Sequence, residues 1–412
     1  TVIKISAADL YEFKSIFKNI DNFPMTLLYR ENNPEKLTES TDAIFHLHRQ
    51  SVSFLEKYTQ HPFPFKKMDF ATIPVFQYGG MEHVGAIQYR ESKLFLDNSA
   101  TNSEKLSRGK LIAHETAHMW FGDLVTMKWF NDVWMKEVFA NFMADKIMNP
   151  AFPDINHNLQ FLTAHYSSAY DEDRTKGSHP IRQNLTNLKN AGSLYGSIIY
   201  NKAPIMMRQL ETTMGKEVFQ KGIQKYIQKY ANSNADWEDL VEILDKGTTL
   251  NMKKWSDVWV NQSGRALFTD HIEYGDAQTI KNFVLRQQAE DGSPNVWPQI
   301  FEIGLVYPDT IKVIQVNVNS RITEIKEAIG LQKPISVIYN YNGYGYGVFP
   351  IDPNNLDKTP EIKDEVARAY SYINAYENTL TGKITAVKAF DVFVKGIAVE
   401  QNELIVKLLA NQ

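Results

Sequence analysis

Two periods of hydrophobicity divide this chain, and they meet near Ala266. Ahead of that point apolar residues recur mostly every three or four positions, the mark of helices that bury one face. Residues 40–59 show it, with Ile44, Leu47, Val52, Leu55 and Tyr58 on one side. Beyond Ala266 the runs NFVLRQQ, QIFEIGLVY, IKVIQVNV and ISVIYNY are short, rich in β-branched residues and separated by DG, YPD and NS turns, as strands are. Ile314, Val316 and Val318 alternate with Gln315 and Asn317, which predicts a half-buried strand. A small antiparallel sandwich of roughly 85 residues accommodates these runs. Helical character returns at Thr359 and Pro360 and continues to Gln412.

Within the first part, AADLYEFKSIFKNI is amphipathic and NFPMTLLYR reads as a strand. HPFPFKKMDF is a turn into an extended stretch, and FQYGGMEHVGAIQYRESKLFL is strand-like around paired glycines. Thr101 and Glu104 have capping-box spacing and start a helix that Gly122 can stop. Asp132 can cap a second helix, which ends before Asn149 and Pro150. Residues 150–195 are polar and read as irregular. Pro204 suits the first turn of a helix ending at Gly215. Helices follow through EVFQKGIQKYIQKYA, WEDLVEILDKG and WSDVWVNQSG, where Gly264 closes the segment. The expectation is a multi-domain α+β chain.

Composition narrows the class. At 412 residues the chain is long enough for two or three cores. Its 43% hydrophobic and 22% charged residues are ordinary for a soluble globular protein. Net charge is −4 with no basic stripe, which points away from nucleic acid, and no apolar run approaches a membrane span. Without cysteine there are no disulfides and no thiolate metal sites. The compartment stays open. Because the chain starts at Thr1, without a Met or a signal-like segment, a processed or truncated N-terminus is expected, with any targeting signal upstream.

Chemistry concentrates in residues 105–147. His114 and His118 lie four apart, so on a helix they share one face and can reach one ion. Eighteen residues later Glu137 stands among Val133, Trp134, Met135, Val138, Phe139 and Ala140. A carboxylate in so apolar a helix is costly unless paired. Two imidazoles, one carboxylate and one open position describe a catalytic zinc site rather than a structural one. Glu115, beside a ligand, is the natural base. His46 and His48, two apart, cannot face one ligand together; both read as structural or solvated, and His179, next to Pro180, as structural. Gly79 and Gly80 remove side chains where another backbone can approach. They fit either a strand edge that pairs with an extended peptide, with Glu82 beside it to take a positive charge, or an ordinary glycine-rich turn.

Together these stretches resemble the aminopeptidase N family of zinc metallopeptidases, in the gluzincin group. Its HExxH motif with a glutamate after eighteen residues matches His114, Glu115, His118 and Glu137. Its GxMEN motif matches Gly79, Gly80, Met81, Glu82 and His83, and its catalytic tyrosine, which precedes a Lys-Gly pair, matches Tyr200 before Lys202 and Ala203. HPFPFKKMD, SHPI and WVNQSGRALF are smaller matches. Three positions depart from the pattern: His83 replaces Asn, Val138 replaces Gly, and Ala203 replaces Gly. The resemblance is strongest over residues 60–265 and nearest to the long bacterial branch.

What the resemblance implies is specific. Residues 1–265 would form a thermolysin-like, mainly helical catalytic domain with a small mixed sheet, carrying the tail of an N-terminal β domain in about residues 1–25. Residues 266–352 would be a β-sandwich and 353–412 the start of a helical C-terminal domain. The chain would then be a fragment lacking most of the N-terminal domain. The implied activity is removal of N-terminal residues from peptides with one Zn2+ held by His114, His118 and Glu137. Glu115 would be the base, Tyr200 the oxyanion donor, and Glu82 the partner of the substrate's free amine. A thermolysin-type endopeptidase shares the zinc motif but has no GxMEN-like stretch. A scaffold that lost its chemistry would show damaged ligands, and here all are intact.

Overall fold

A computed structural model describes residues 13–412. Residues 7–12 of the amphipathic opening lie outside the described residues. The rest of it, Lys14–Ile20, is an extended strand, β1, rather than part of a continuous amphipathic element. The reason is local. Asp21 and Asn22 both take positive φ (52° and 60°), and a two-residue turn of that hand folds β1 back on β2, Phe23–Tyr29.

The chain divides into two compact units, 1–154 with 217–249, and 155–216 with 250–412. The first is built on a five-stranded mixed sheet. With β3 as Met68–Ile73, β4 as Gly80–Met81 and β5 as Ile87–Arg90, the order is β1-β2-β3-β5-β4. β2, β3 and β5 run parallel, and β4 closes one edge antiparallel to β5. Helix α1, Pro34–Thr59, starts earlier than its apolar stripe predicts, because Asn33 accepts from Glu35 N and Lys36 N ahead of Pro34. His48 lies on its buried face against Phe70 and Tyr89, whereas His46 is exposed.

Helix α2, Asn102–His118, opens on the predicted capping box: Thr101 Oγ1 accepts from Glu104 N and Glu104 accepts from Thr101 N. It ends at His118 rather than running on to Gly122. Gly122, at φ 134°, reverses the chain instead. Helix α3, Val133–Met148, starts after a 3-10 turn with Asp132 at its N-cap position, but the Asp132 side chain makes no capping bond. α2 and α3 pack closely where Gly109 faces Met148; a Cβ at Gly109 would come within 2.6 Å of the Met148 sulfur. Trp134 and Trp237 pack in the core of this unit with ring centres 4.9 Å apart and planes inclined by 58°.

In the second unit, His157–Asp173 is a helix inside the stretch read as irregular. Its stripe of Leu159, Leu162, Tyr166, Ala169 and Tyr170 is buried. A π-helical turn, Ile198–Lys202, runs into the helix Ala203–Met214, with Pro204 in its first turn and Gly215 after its end. The strands beyond Ala266 form a three-stranded and a four-stranded sheet, and Phe268 of one meets Phe301 of the other at 5.7 Å. Pairing is antiparallel except at Gly347–Val348, which runs parallel to the strand Ala266–Tyr274. Three helices end the chain, Glu365–Leu380, Ala386–Val399 and Glu403–Asn411. Among the described residues no helix is long and apolar enough to cross a membrane.

Candidate metal centre

Four-residue spacing on α2 carries His114 and His118 to one face, and α3 brings Glu137 against them. The Nε2 atoms of the two histidines are 3.1 Å apart, and Glu137 Oε2 lies 3.6 Å from His114 Nε2 and 3.9 Å from His118 Nε2. Three ligands on a tetrahedral zinc at bond lengths near 2.0–2.1 Å stand roughly 3.3 Å apart. The triangle is therefore of the right size for a small dication.

The hydrogen bonds behind the rings decide which nitrogen faces the triangle. His118 Nδ1 lies 3.0 Å from the Phe121 carbonyl, which can only accept, so Nδ1 carries the proton. His114 Nδ1 donates to Asn141 Oδ1 at 2.9 Å. Both Nε2 lone pairs then point inward, toward each other and toward a carboxylate oxygen. Three acceptors converging in a buried place repel one another unless a cation lies between them. This donor set fits a divalent cation of borderline softness.

Two further carboxylates reach the same place. Glu82, Glu115 and His118 bring one ligand atom each to within 4.8 Å of one another. Glu82 comes from the residue after β4 and Glu115 from α2. The paired glycines explain how both fit. A Cβ on Gly80 would collide with the Glu115 carboxyl and lie 2.7 Å from its Cγ, whereas one on Gly79 would meet only Leu111 Cδ1 at 3.3 Å. The room left by the missing side chain at Gly80 is taken by the Glu115 carboxyl. β4 is an edge strand, Met81 pairs with Gln88 in it, and His83 is exposed in the turn that follows.

Electrostatics separates the carboxylates. Burial pushes Glu115 up to about 8; His114 opposes this, and Glu82 and Glu137 add to it. Burial works against ionisation of Glu82 too, but the nearby His118 and the charge and hydrogen bond of Lys136 hold it down to about 2. Glu137, despite burial, is held well below the carboxylate range by its closeness to His114, His118 and the charge of Lys136. Burial and the neighbouring His114 push His118 down to about 4. Lys136 donates to Glu82 and lies 2.9 Å from Glu137 Oε1.

Val138 and Ala203, two of the departing positions, are fully buried. Tyr200 belongs to the second unit, on the π-helical turn, where it is 38% exposed and its ring stacks on Tyr195 at 6.3 Å. Two residues on, Lys202 is fully buried and bound to Asp173 at 2.6 Å and to the Gly264 carbonyl at 2.7 Å. Sequence reasoning missed Asn141 and Lys136. Asn141 carried a signal, since it follows Glu137 by one helical turn and so shares its face. Lys136 carried only its charge in an apolar helix.

Comparison with known proteins gives these positions a context. The model of the Peptidase family M1 domain matches residues 44–262. The chain is similar to an "Aminopeptidase N" of Streptomyces lividans, 28% identical over 417 residues, covering 96% of this chain and 48% of that protein. It is also similar to a "Leucyl aminopeptidase" of Saccharolobus solfataricus, 30% identical over 285 residues, covering 66% and 36% of the two chains. An "Aminopeptidase M1-C" of Oryza sativa subsp. japonica is 37% identical over 230 residues, covering 56% and 26%. The chain thus spans about half the length of the curated relatives it matches, or less.

Proposed function

Since the chain belongs to peptidase family M1, we propose that it is a zinc-dependent aminopeptidase that removes N-terminal residues from peptides. His114, His118 and Glu137 hold the metal. The observation that carries this reading is the convergence of two inward Nε2 lone pairs and the Glu137 carboxylate, with Glu115 and Glu82 alongside. Zinc bound there supplies Lewis-acid polarisation of the scissile carbonyl and acidifies the attacking water.

Glu115 takes the proton from that water and passes it to the leaving amine. Its burial suits the task, because a desolvated carboxylate is a stronger base than one in water. The short Gly79–Gly80 stretch at the sheet edge pairs with an extended substrate backbone. Glu82 pairs with the substrate's α-ammonium, which sets the first peptide bond at the centre. Tyr200 donates a hydrogen bond to the oxyanion, a charge present only in the transition state.

The test is zinc stoichiometry together with hydrolysis of free and N-acetylated aminoacyl amides. One zinc per chain, cleavage of the free amides only, and loss of cleavage in Glu115→Gln are expected. Equal cleavage of acetylated substrates overturns the role of Glu82, and activity surviving in Glu115→Gln overturns the base.

A further inference from the structure

Lys136 lies on α3 between Met135 and Glu137, and its side chain is only 17% exposed. It pairs with two carboxylates at once, donating to Glu82 Oε1 and lying 2.9 Å from Glu137 Oε1. The Glu137 oxygen turned toward the imidazoles is the other one, Oε2. Its stem is seated as well. A Cβ on Gly122 would stand 3.4 Å from Lys136 Cδ, and Met135 and Phe139 wall the same recess. A cation belonging to the chain itself is thus built in against Glu82.

We propose that Lys136 is a specificity-determining residue: it holds, from within the chain, the place of a substrate's ammonium against Glu82 and so weakens recognition of free N-termini. The inference rests on reading Glu82 as the amine's partner. A carboxylate has two oxygens and can accept from two cations, so an incoming ammonium is not excluded. It meets a carboxylate already neutralised, with a like charge beside it, which is how an interface rejects one class of ligand without losing its shape. Deleting the internal cation removes that repulsion and leaves Glu82 to the ligand alone.

The probe is 3-methylbutylamine, an ammonium with an apolar tail and no scissile bond, with 3-methylbutan-1-ol as its uncharged counterpart. Both are titrated calorimetrically into the zinc-loaded protein. Lys136→Asn is expected to bind the amine about tenfold more tightly than the parent, with affinity for the alcohol unchanged. Lys136→Met should do the same and serves if the asparagine variant fails to fold, and Lys136→Arg should bind as the parent does. Unchanged amine affinity in both neutral variants, or an equal gain for the alcohol, overturns the proposal. Adding Glu82→Gln to Lys136→Asn separates the two readings. If amine affinity does not fall, Glu82 is not the amine's partner and the functional reading fails at that residue. If it falls while Lys136→Asn alone brought no gain, only the role of Lys136 fails.

Discussion

Gly80→Ala and Gly79→Ala differ by one position and should differ greatly in consequence. At Gly80 the added carbon collides with the Glu115 carboxyl, lying 2.5 Å from its Cδ and 2.7 Å from its Cγ. Carbon atoms in contact prefer about 3.5–4.0 Å, so Glu115 must retreat by about 1 Å. Cγ is the second atom of the side chain, so bending the carboxyl away does not relieve the contact. A helical residue has few χ1 alternatives, because one of the three wells runs into the preceding turn. Glu115 must therefore leave its seat. A displacement of this size at a catalytic group costs roughly 10²-fold in rate, or about 2.7 kcal/mol of barrier. The strain on folding should be about 1–3 kcal/mol. At Gly79 the new carbon meets only a flexible leucine methyl at 3.3 Å, and activity should stay within a few-fold. The assay is kcat/KM on an aminoacyl amide for both variants, with zinc content and thermal melting beside it. Full zinc occupancy and near-parental activity in Gly80→Ala would refute the claim that this seat positions the base.

Three further outcomes follow from the buried contacts. His48 donates from Nδ1 to the Ile44 carbonyl and accepts from Tyr89 OH at Nε2, and burial pushes it down to about 4. Between pH 6.5 and 4 the unfolded chain therefore binds a proton that the folded one does not, and stability falls as pH drops through that window by about 3 kcal/mol; His48→Phe should flatten this limb in urea titrations at successive pH values. Asn141→Ala frees the His114 ring and should weaken zinc affinity roughly 10–100-fold in competition with a chelator, while leaving the melting temperature of the metal-free protein little changed. Lys202→Met leaves the Asp173 charge buried without its counter-ion and should cost roughly 3–5 kcal/mol in denaturant unfolding; replacing Asp173 by Asn as well, which removes the charge and keeps an acceptor for Tyr346 OH and Ser178 Oγ, should recover much of it, and a double variant no more stable than the single would contradict the pairing.

Local signals were legible in the sequence and distant ones were not. The capping box at Thr101 and Glu104, the helical face shared by His114 and His118, and the place of Glu137 on the buried helix α3 are decided within one or two helical turns. The His157–Asp173 helix escaped notice because His, Asn, Thr and Ser fill the positions between its buried residues and dilute the stripe. What Gly80 makes room for depends on a side chain 35 positions away, and no periodicity records that. Lys136 is the same kind of case, since its meaning comes from Glu82 on another element.

Seen as a problem in engineering, the ring-orienting contacts have a practical consequence. All three converging donors, and both acceptors that aim the imidazoles, Phe121 O and Asn141 Oδ1, fall between His114 and Asn141. Glu82 alone reaches in from the sheet edge. The proposed ligands and the contacts that aim them are thus written in one continuous length of chain, and Lys136, within that same length, ties it to Glu82. The helical pair is a transplantable cartridge, but residues 79–83 must travel with it, because Gly80 leaves the room in which Glu115 sits and Glu82 is bound to Lys136.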